Sequence, residues 1–163
     1  MKIIPLTQGH VALVDDNDYP LLSQHKWCAA KGHNTFYAVR SPKGSKKLEK
    51  MHIVLMGYPT GLMVDHRDHN GLNNQKNNLR LATNSQNQAN ANGWKRVSKF
   101  RGVHKDRNKW RARIENNGVK YNLGSFNNRE DAAQSYNEKA KELFGDFASL
   151  NFITPQSYAL EAR

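Results

Sequence analysis

The sequence predicts an α+β protein built from two small units, and three observations lead to that prediction. Apolar and polar residues alternate over several short runs among the 163 residues, as they do in half-buried strands. The last of these runs precedes a segment whose apolar residues recur at three- and four-residue steps, the pattern of an amphipathic helix. Hydrophobic residues make up 37% of the chain and the mean hydropathy is −0.85. Small cores are therefore expected rather than one large core.

The charge of the chain indicates an anionic partner. Its formal net charge is +11 and its pI is about 9.9, which favours binding to nucleic acid or to a membrane surface. No apolar run approaches the roughly 20 residues of a membrane-spanning helix. No basic amphipathic helix with a broad apolar face stands out either. We therefore expect nucleic acid as the partner and no membrane.

The cysteine content and the N-terminus bear on the compartment. The single cysteine, Cys28, excludes internal disulfides and a cysteine-rich zinc site. Residues 1–10 lack the apolar centre and the small-residue cleavage site of a signal peptide. The expected location is cytoplasmic.

Residues 1–50 are predicted to form a β-rich opening. Turn residues separate two pairs of short strands, and a brief helical pattern lies between the pairs. The predicted elements are strands Lys2–Leu6 and His10–Val14, a helix Tyr19–Gln24, and strands Trp27–Ala29 and Phe36–Arg40. The expected core side chains are Trp27, Phe36, Tyr37 and Val39.

Residues 51–92 are predicted to fold as helix, strand, long turn, strand and helix. The first helix covers Met51–Met56 and is stopped by glycine and proline. Apolar residues at 62–64 form the first strand, and Asn70-Gly71 is a strong turn signal. Leu79–Thr83 alternates as a half-buried strand does, and Asn84 or Ser85 can cap the helix that follows.

Four polar residues of this segment form a candidate catalytic set. Hydrolysis of a phosphodiester needs a general base for a water and a divalent cation for the departing oxygen. His66 can be the base because imidazole titrates near neutrality. Asp65, on the opposite side of the strand, and Asn87, on the helix, offer hard oxygen ligands suited to Mg²⁺. Asn78 could bond one ring nitrogen of His66 and fix its tautomer.

The same residues resemble the ββα-metal site of the phage-type HNH homing endonucleases. The matching pattern is Asp65-His66, then Asn78 at the start of NLRLAT, then Asn87. The resemblance implies His66 as general base, Asn78 as its orienting residue, and Asp65 and Asn87 as ligands of one Mg²⁺ or Mn²⁺. The LVDDNDY and HKW pieces of the opening also resemble the segment that precedes this site in phage and mobile-intron nucleases.

Each of several basic residues near this set has more than one interpretation. His69 lies in the turn and is expected to be a surface or phosphate-contacting residue rather than a metal ligand. His52 either contacts the scissile phosphate or acts structurally, and it is not placed on the metal. The cluster of Lys43, Lys46, Lys47 and Lys50 is either a solvated face or a phosphate contact.

Residues 93–152 continue with a basic linker and a second unit. The linker, residues 93–98, has no periodicity. Strands are predicted over 101–105, 109–114 and 119–123, followed by a helix that begins near Asn128 and ends at Gly145. The result is a three-stranded antiparallel sheet with one helix on one face. The opposite face carries the cations, as suits a DNA major groove.

The segment 99–152 also resembles the APETALA2/ethylene-response-factor DNA-binding domain. The matching pieces are FRGV, W-x-A-x-I, LGSF, REDAAQSYNEKAKELFG and LNF. The candidate DNA-binding residues, from this resemblance and from the alternation, are Arg101, Gly102, His104, Lys105, Arg111, Arg113, Lys120 and Asn122. Lys120, His104 and Asn122 stand where that family usually has Arg, Arg and Trp, so its target sequence does not transfer.

The sequence as a whole therefore predicts a DNA endonuclease that hydrolyses phosphodiester bonds. The predicted domains are a nuclease domain over 1–92, with the opening at 1–50 and the ββα-metal core at 51–92, the linker at 93–98, the DNA-binding domain at 99–152 and a tail at 153–163. The partner is double-stranded DNA, and the chain acts as a monomer or weak dimer in the host cytoplasm if it is phage-encoded. The alternative is a non-catalytic DNA-binding regulator. RNA cleavage is disfavoured because A-form RNA hides its major groove.

Overall fold

The computed structural model describes residues 1–45, 47–90 and 99–153 and divides into two compact units, Met1–Asn87 and Gln88–Arg163. The mixed helix-and-sheet class with small antiparallel sheets is confirmed. The predicted linker, the predicted tail beyond Ile153, and Lys46 lie outside the described residues. In the described part of the chain, no helix is long and apolar enough to span a membrane.

The first unit opens with a hairpin and a small sheet. Strand β1 pairs antiparallel with β2, and β3, β4 and β5 form a second sheet in that order. The elements are β1 (Lys2–Pro5), β2 (Val11–Val14), α1 (Tyr19–Leu22), β3 (Cys28–Lys31), β4 (Phe36–Arg40), β5 (Glu49–Lys50) and α2 (Met51–Leu55). The short strand β5 was not predicted from the sequence, because two residues are too few to show alternation.

The core of this first unit is centred on Trp27. This side chain is fully buried, and its Nε1 donates a hydrogen bond to the carbonyl oxygen of Leu22 at 2.8 Å. Around it pack Ile4, Leu6, Ala12, Val14, Leu22, Ala38 and Met51. The predicted core positions of Trp27 and Val39 are confirmed, whereas Phe36 and Tyr37 are only half-buried.

The segment after α2 folds as a hairpin followed by a helix. Strands β6 (Met63–His66) and β7 (Leu79–Ala82) pair antiparallel, and α3 (Asn84–Asn90) follows. The division between the two units falls inside α3. Thr83, rather than Asn84 or Ser85, caps this helix: its hydroxyl accepts from the amide of Gln86, and the Gln86 side chain accepts from the amide of Thr83. This reciprocal pair is a capping box.

The N-terminal hairpin fixes the long loop of residues 67–78 between β6 and β7. The amide of Leu13 donates to the carbonyl of Leu72, and the amide of Asn74 donates to the carbonyl of Leu13. The Asp15 carboxylate accepts from the Gln75 side chain and from the backbone of the next residue. These bonds attach the loop to β2, so the opening segment supports the hairpin that carries Asp65 and His66.

The second unit is a sheet with a helix across one face. Strands β8 (Val103–Asp106), β9 (Lys109–Asn116) and β10 (Val119–Phe126) are antiparallel in the order β10-β9-β8, and α4 (Arg129–Phe144) packs against β9 and β10. Asn128 caps α4 by accepting from the amide of Asp131. The buried residues are Val103, Ala112, Ile114, Ala132, Ala133, Tyr136, Ala140 and Phe144.

Gly102 is required by the packing of this second unit. Its backbone has φ +72°, and an added Cβ would overlap the Tyr136 ring and lie 2.7 Å from the carbonyl oxygen of Arg113. Gly118 has a similar φ of +80°, but nothing lies within 4 Å of an added Cβ there. The two glycines therefore share the conformational requirement and differ in the available space.

We expect Gly102→Ala to destabilise the protein by roughly 1–3 kcal/mol more than Gly118→Ala, because only the first change adds a clash to the cost of a positive φ. Urea unfolding of both variants measures the difference. Equal losses for the two variants would show that the contact between Gly102 and Tyr136 is not tight.

Candidate active site

Asp65 and His66 are adjacent on β6, and both are buried, with 7% and 6% of their surface exposed. Asp65 faces Arg80 across the hairpin, and Arg80 Nε lies 2.9 Å from Asp65 Oδ2. Arg80 is equally buried, at 7% exposure. The guanidinium therefore holds the carboxylate in one orientation. A carboxylate has more acceptor sites than one arginine bond uses, so this pairing is compatible with a role as a metal ligand.

His66 is kept in its basic, neutral form. Burial lowers the pKa of His66, and the charge of Lys50 acts in the same direction. The Asn74 side chain and the charges of Asp68 and Asp65 oppose this but do not outweigh it. Because the ordinary pKa of 6.5 is already below neutrality, His66 is unprotonated at pH 7. It has the protonation state that a general base needs.

Two aromatic side chains pack against His66. The His52 ring meets it edge-on with 4.8 Å between ring centroids, and the Tyr37 ring lies 6.0 Å from His66 and 5.4 Å from His52. Burial is the main cause that lowers the pKa of His52 to about 3, followed by the electrostatic influence of His66 and Lys50. His52 is only 4% exposed. It therefore lies beside the candidate base as a neutral packing partner, which favours the structural interpretation.

The sequence suggested that Asn78 bonds the His66 ring, but its side chain bonds other residues. Its side-chain oxygen accepts from the amide of Asp68 at 3.1 Å, and its side-chain nitrogen donates to Asp68 Oδ1 at 2.9 Å and to the carbonyl of Asn73 at 2.8 Å. The predicted tautomer-fixing bond is therefore replaced by bonds that close the loop of residues 67–78. Short amide side chains commonly bond nearby backbone in this way. Asn78 acts on His66 only through the loop.

Asn74 is the amide that reaches His66. It is fully buried, and its interaction with the imidazole raises the pKa of His66. Neither amide atom of Asn74 has a partner of strict hydrogen-bond geometry among the described residues. The interaction is therefore a loose one, which we interpret as orientation of the ring. This role could not be found from the sequence, because Asn74 is one of five asparagines in the turn between residues 70 and 78.

The remaining residues of the predicted set lie on the loop and on α3. His69 is half-buried in the loop with φ +63°, and its amide donates to the carbonyl of His66 at 3.1 Å. Asn87 is half-buried on α3, and its amide donates to the carbonyl of Thr83. Among the described residues, no group of three or more histidine, cysteine, aspartate or glutamate side chains could hold a metal. The predicted pair of ligands, one carboxylate and one amide, is smaller than such a group, so this absence does not bear on it.

The open face of the second unit's sheet carries the cations that alternation predicted. Along β9 the side chains of Arg111 and Arg113 are exposed, whereas those of Ala112 and Ile114 are buried under α4. The register places further residues on the same face, namely His104, Asp106, Lys109, Glu115, Lys120 and Asn122. Arg113 Nε donates to His104 Nε2 at 3.0 Å, and Arg111 pairs with Asp106. The face is therefore cationic.

Three predicted DNA-binding residues have other positions. The Arg101 guanidinium donates to the carbonyl oxygens of Gln88 and Ala89. Gly102 is buried against Tyr136. Lys105 pairs with Trp110 in the sheet register, on the helix side, with its Nζ 5.9 Å from the ring centroid of that tryptophan. The structure therefore gives Arg101 and Gly102 packing roles and moves Lys105 off the open face.

This geometry indicates the class of protein: a buried acid and a neutral histidine, on a hairpin that a helix follows, suit the hydrolysis of phosphodiesters. Residues 56–89 match the HNH endonuclease family. A relative named as an uncharacterized HNH endonuclease, from Acanthamoeba polyphaga mimivirus, is 37% identical over 150 residues, which cover 90% of this chain and 77% of the relative. No solved structure matches the chain. The chain belongs to the HNH endonucleases, and it is a hydrolase that cleaves DNA.

The burial of His52 predicts a specific loss of stability in acid. The pKa of His52 is about 3 in the folded chain against 6.5 for a free histidine, so the unfolded chain binds more protons between these values. The stabilisation is present above pH 6.5 and is lost as the pH falls. Between pH 7 and pH 5 His52 should account for a decrease of about 2 kcal/mol in the free energy of unfolding.

Urea unfolding at the two pH values measures this contribution. The decrease should be smaller by that amount in His52→Gln and unchanged in the control His33→Gln, since His33 is exposed. A wild-type pH dependence that persists in His52→Gln would show that His52 is not buried in its neutral form.

Proposed function

We propose that the enzyme is a metal-dependent endonuclease in which His66 is the general base and Asp65 and Asn87 hold one Mg²⁺ or Mn²⁺. The observation that carries this proposal is a neutral, buried His66 directly beside an immobilised Asp65 on one strand. The donor set also suits the metal. A carboxylate and an amide oxygen are hard ligands, preferred by Mg²⁺ and Mn²⁺ over the sulfur and imidazole ligands typical of zinc.

The residues of the chain have distinct tasks in this proposal. His66 takes a proton from the water that attacks phosphorus, and Asn74 and the rings of Tyr37 and His52 keep the imidazole in place. Arg80 orients Asp65. A bound divalent ion would neutralise the charge that develops on the departing 3′ oxygen. The expected products carry a 5′-phosphate and a 3′-hydroxyl.

One active site per chain suits a monomer that nicks duplex DNA, and a double-strand break would need a weak dimer or two successive nicks. We retain a homing or nicking role from the resemblance to phage-type enzymes. His69 is kept as a possible phosphate contact because it lies half-exposed in the loop beside His66. For His52, burial makes packing against the base the preferred role.

We further propose that the second unit is an APETALA2-like module that binds duplex DNA through its open sheet face. The support is the exposed row of Arg111, Arg113 and Lys120, with His104 and Asn122 beside it. Arginine and asparagine can read base edges, and lysine contacts phosphates. The domain bounds proposed from the sequence, 1–92 and 99–152, are close to the division after Asn87.

The active-site assignment predicts metal-dependent nicking that depends on single residues. Supercoiled plasmid should be nicked with Mg²⁺ or Mn²⁺ and remain intact with EDTA. His66→Ala should reduce the rate by about 10²–10⁴-fold because general base catalysis is lost. Asp65→Asn should also reduce it strongly and should raise the metal concentration needed for half-maximal rate.

The matched control is His33→Ala, which removes an exposed histidine from the same unit and should leave the rate unchanged. Retained DNA binding in a gel shift, with no nicking by the wild type under any metal, would instead identify a DNA-binding regulator.

The sheet-face assignment predicts a change in the salt dependence of DNA binding. Arg113→Ala and Lys120→Ala should each weaken binding and, if they contact phosphates, reduce the slope of log affinity against log salt by about 0.9. Lys141→Ala removes an exposed lysine from α4 and should change neither. Filter binding in EDTA, over a series of salt concentrations, measures both quantities. Equal effects from all three substitutions would place the DNA elsewhere.

A further inference from the structure

A lysine that neither motif includes contacts an aromatic ring that also packs on the candidate base. Lys50 ends β5 and precedes α2, and its Nζ lies over the Tyr37 ring, 4.9 Å from the centroid. The same ring lies 6.0 Å from the His66 ring. Lys50 is exposed, unlike the other members of this cluster. One aromatic ring therefore supports a buried base and an exposed cation.

The Tyr37 ring is held in place by two close backbone approaches. An added Cβ on Gly32 would lie 2.6 Å from Tyr37 Cε2, and an added Cβ on Gly71 would lie 2.7 Å from both Cδ1 and Cε1. Both glycines therefore pack directly on the ring. Lys50 is also fixed at its backbone, because it pairs with Val39 in the sheet next to Tyr37. The sheet therefore holds the backbone that carries the ammonium group, and the two glycines hold the ring below it.

The position of this cation suits an anionic group bound at the site. The ring below the Lys50 ammonium has its centroid 6.0 Å from that of the His66 ring. The contact between ammonium and ring lies at an exposed position, where such contacts are weak. An anionic group bound between the ammonium and the imidazole would give the ammonium a stronger partner, and the substrate supplies one.

We propose that Lys50 binds a non-bridging oxygen of the scissile phosphate and stabilises the charge that builds up there during attack. This inference rests on the proposed function, in which His66 activates the attacking water. The phosphorus must then lie next to His66, and an ammonium supported on the same ring is placed to reach its oxygens. Since the phosphoryl oxygens carry more charge in the transition state, the bond strengthens during reaction and acts on the rate.

The test separates the rate from the affinity. Supercoiled plasmid is nicked in Mg²⁺ under enzyme excess, and the maximal rate and the half-saturating enzyme concentration are measured for each variant. Lys50→Met keeps the length of the side chain and removes its charge. It should lower the maximal rate by about 10²-fold, the usual effect of losing one charge-stabilising donor, with little change in half-saturation.

Two further variants make the result specific. Lys50→Arg keeps the charge and the contact with the ring and should retain most of the rate. Lys2→Met removes an exposed lysine that also lies over a tyrosine ring, 4.8 Å from the centroid of Tyr19, and should leave the maximal rate unchanged. Thermal melting of each variant shows that the fold is intact, as is expected for exposed positions.

Several results would overturn the proposal. Nicking by Lys50→Met at the wild-type maximal rate, with only weaker half-saturation, would make Lys50 an ordinary affinity residue. A folded Lys50→Arg as inactive as Lys50→Met would show that the charge is not what matters. If the wild type nicks DNA, His66→Ala does not and Lys50→Met nicks as the wild type does, the proposed function is retained and this inference is rejected. No metal-dependent nicking by the wild type would reject both.

Discussion

The buried ion pair between Asp65 and Arg80 is the interaction on which the geometry of the site depends. Removing two charges from water costs several kcal/mol for each ion, and a close, well-oriented contact offsets this cost only if the partners stay together. A slip of one residue between β6 and β7 would separate the two charges and would turn Asp65 and His66 each to the face opposite its present one. The pair therefore fixes the strand register, and with it the side of the hairpin from which His66 acts.

A two-stranded hairpin of four residues on each strand is not stable by itself, so the ion pair needs a frame. The loop of residues 67–78 supplies part of it through Asn78, whose three hydrogen bonds join Asp68 and Asn73. The N-terminal hairpin supplies the rest through Leu13 and Asp15. The asparagine-rich loop thus has a mechanical role, and the segment before the HNH motif is part of the support for the catalytic set.

The sequence predicted best where one local pattern decides the structure. Strict alternation placed Arg111 and Arg113 on one face of β9 and Ala112 and Ile114 on the other, as the structure has them. It failed where the partner is distant in sequence or a single side chain chooses among several acceptors. Tyr37 was expected in the core but lies at the site, because Gly32 and Gly71 approach it from opposite edges. Asn78 had several possible partners, and only the path of the loop decides among them.

A strongly cationic nuclease faces a conflict between binding DNA and keeping a histidine basic. Each nearby cation lowers the pKa of His66 and therefore its strength as a base, yet the same cations attract the phosphate backbone. Burial adds to this lowering, but it also excludes water, and Asp65 and Asp68 partly restore basicity through their negative charge. Asp65 is compensated locally by Arg80, so the field at His66 is set by a few fixed groups. The arrangement keeps the base neutral in the free enzyme and leaves the incoming phosphate to complete the balance of charge.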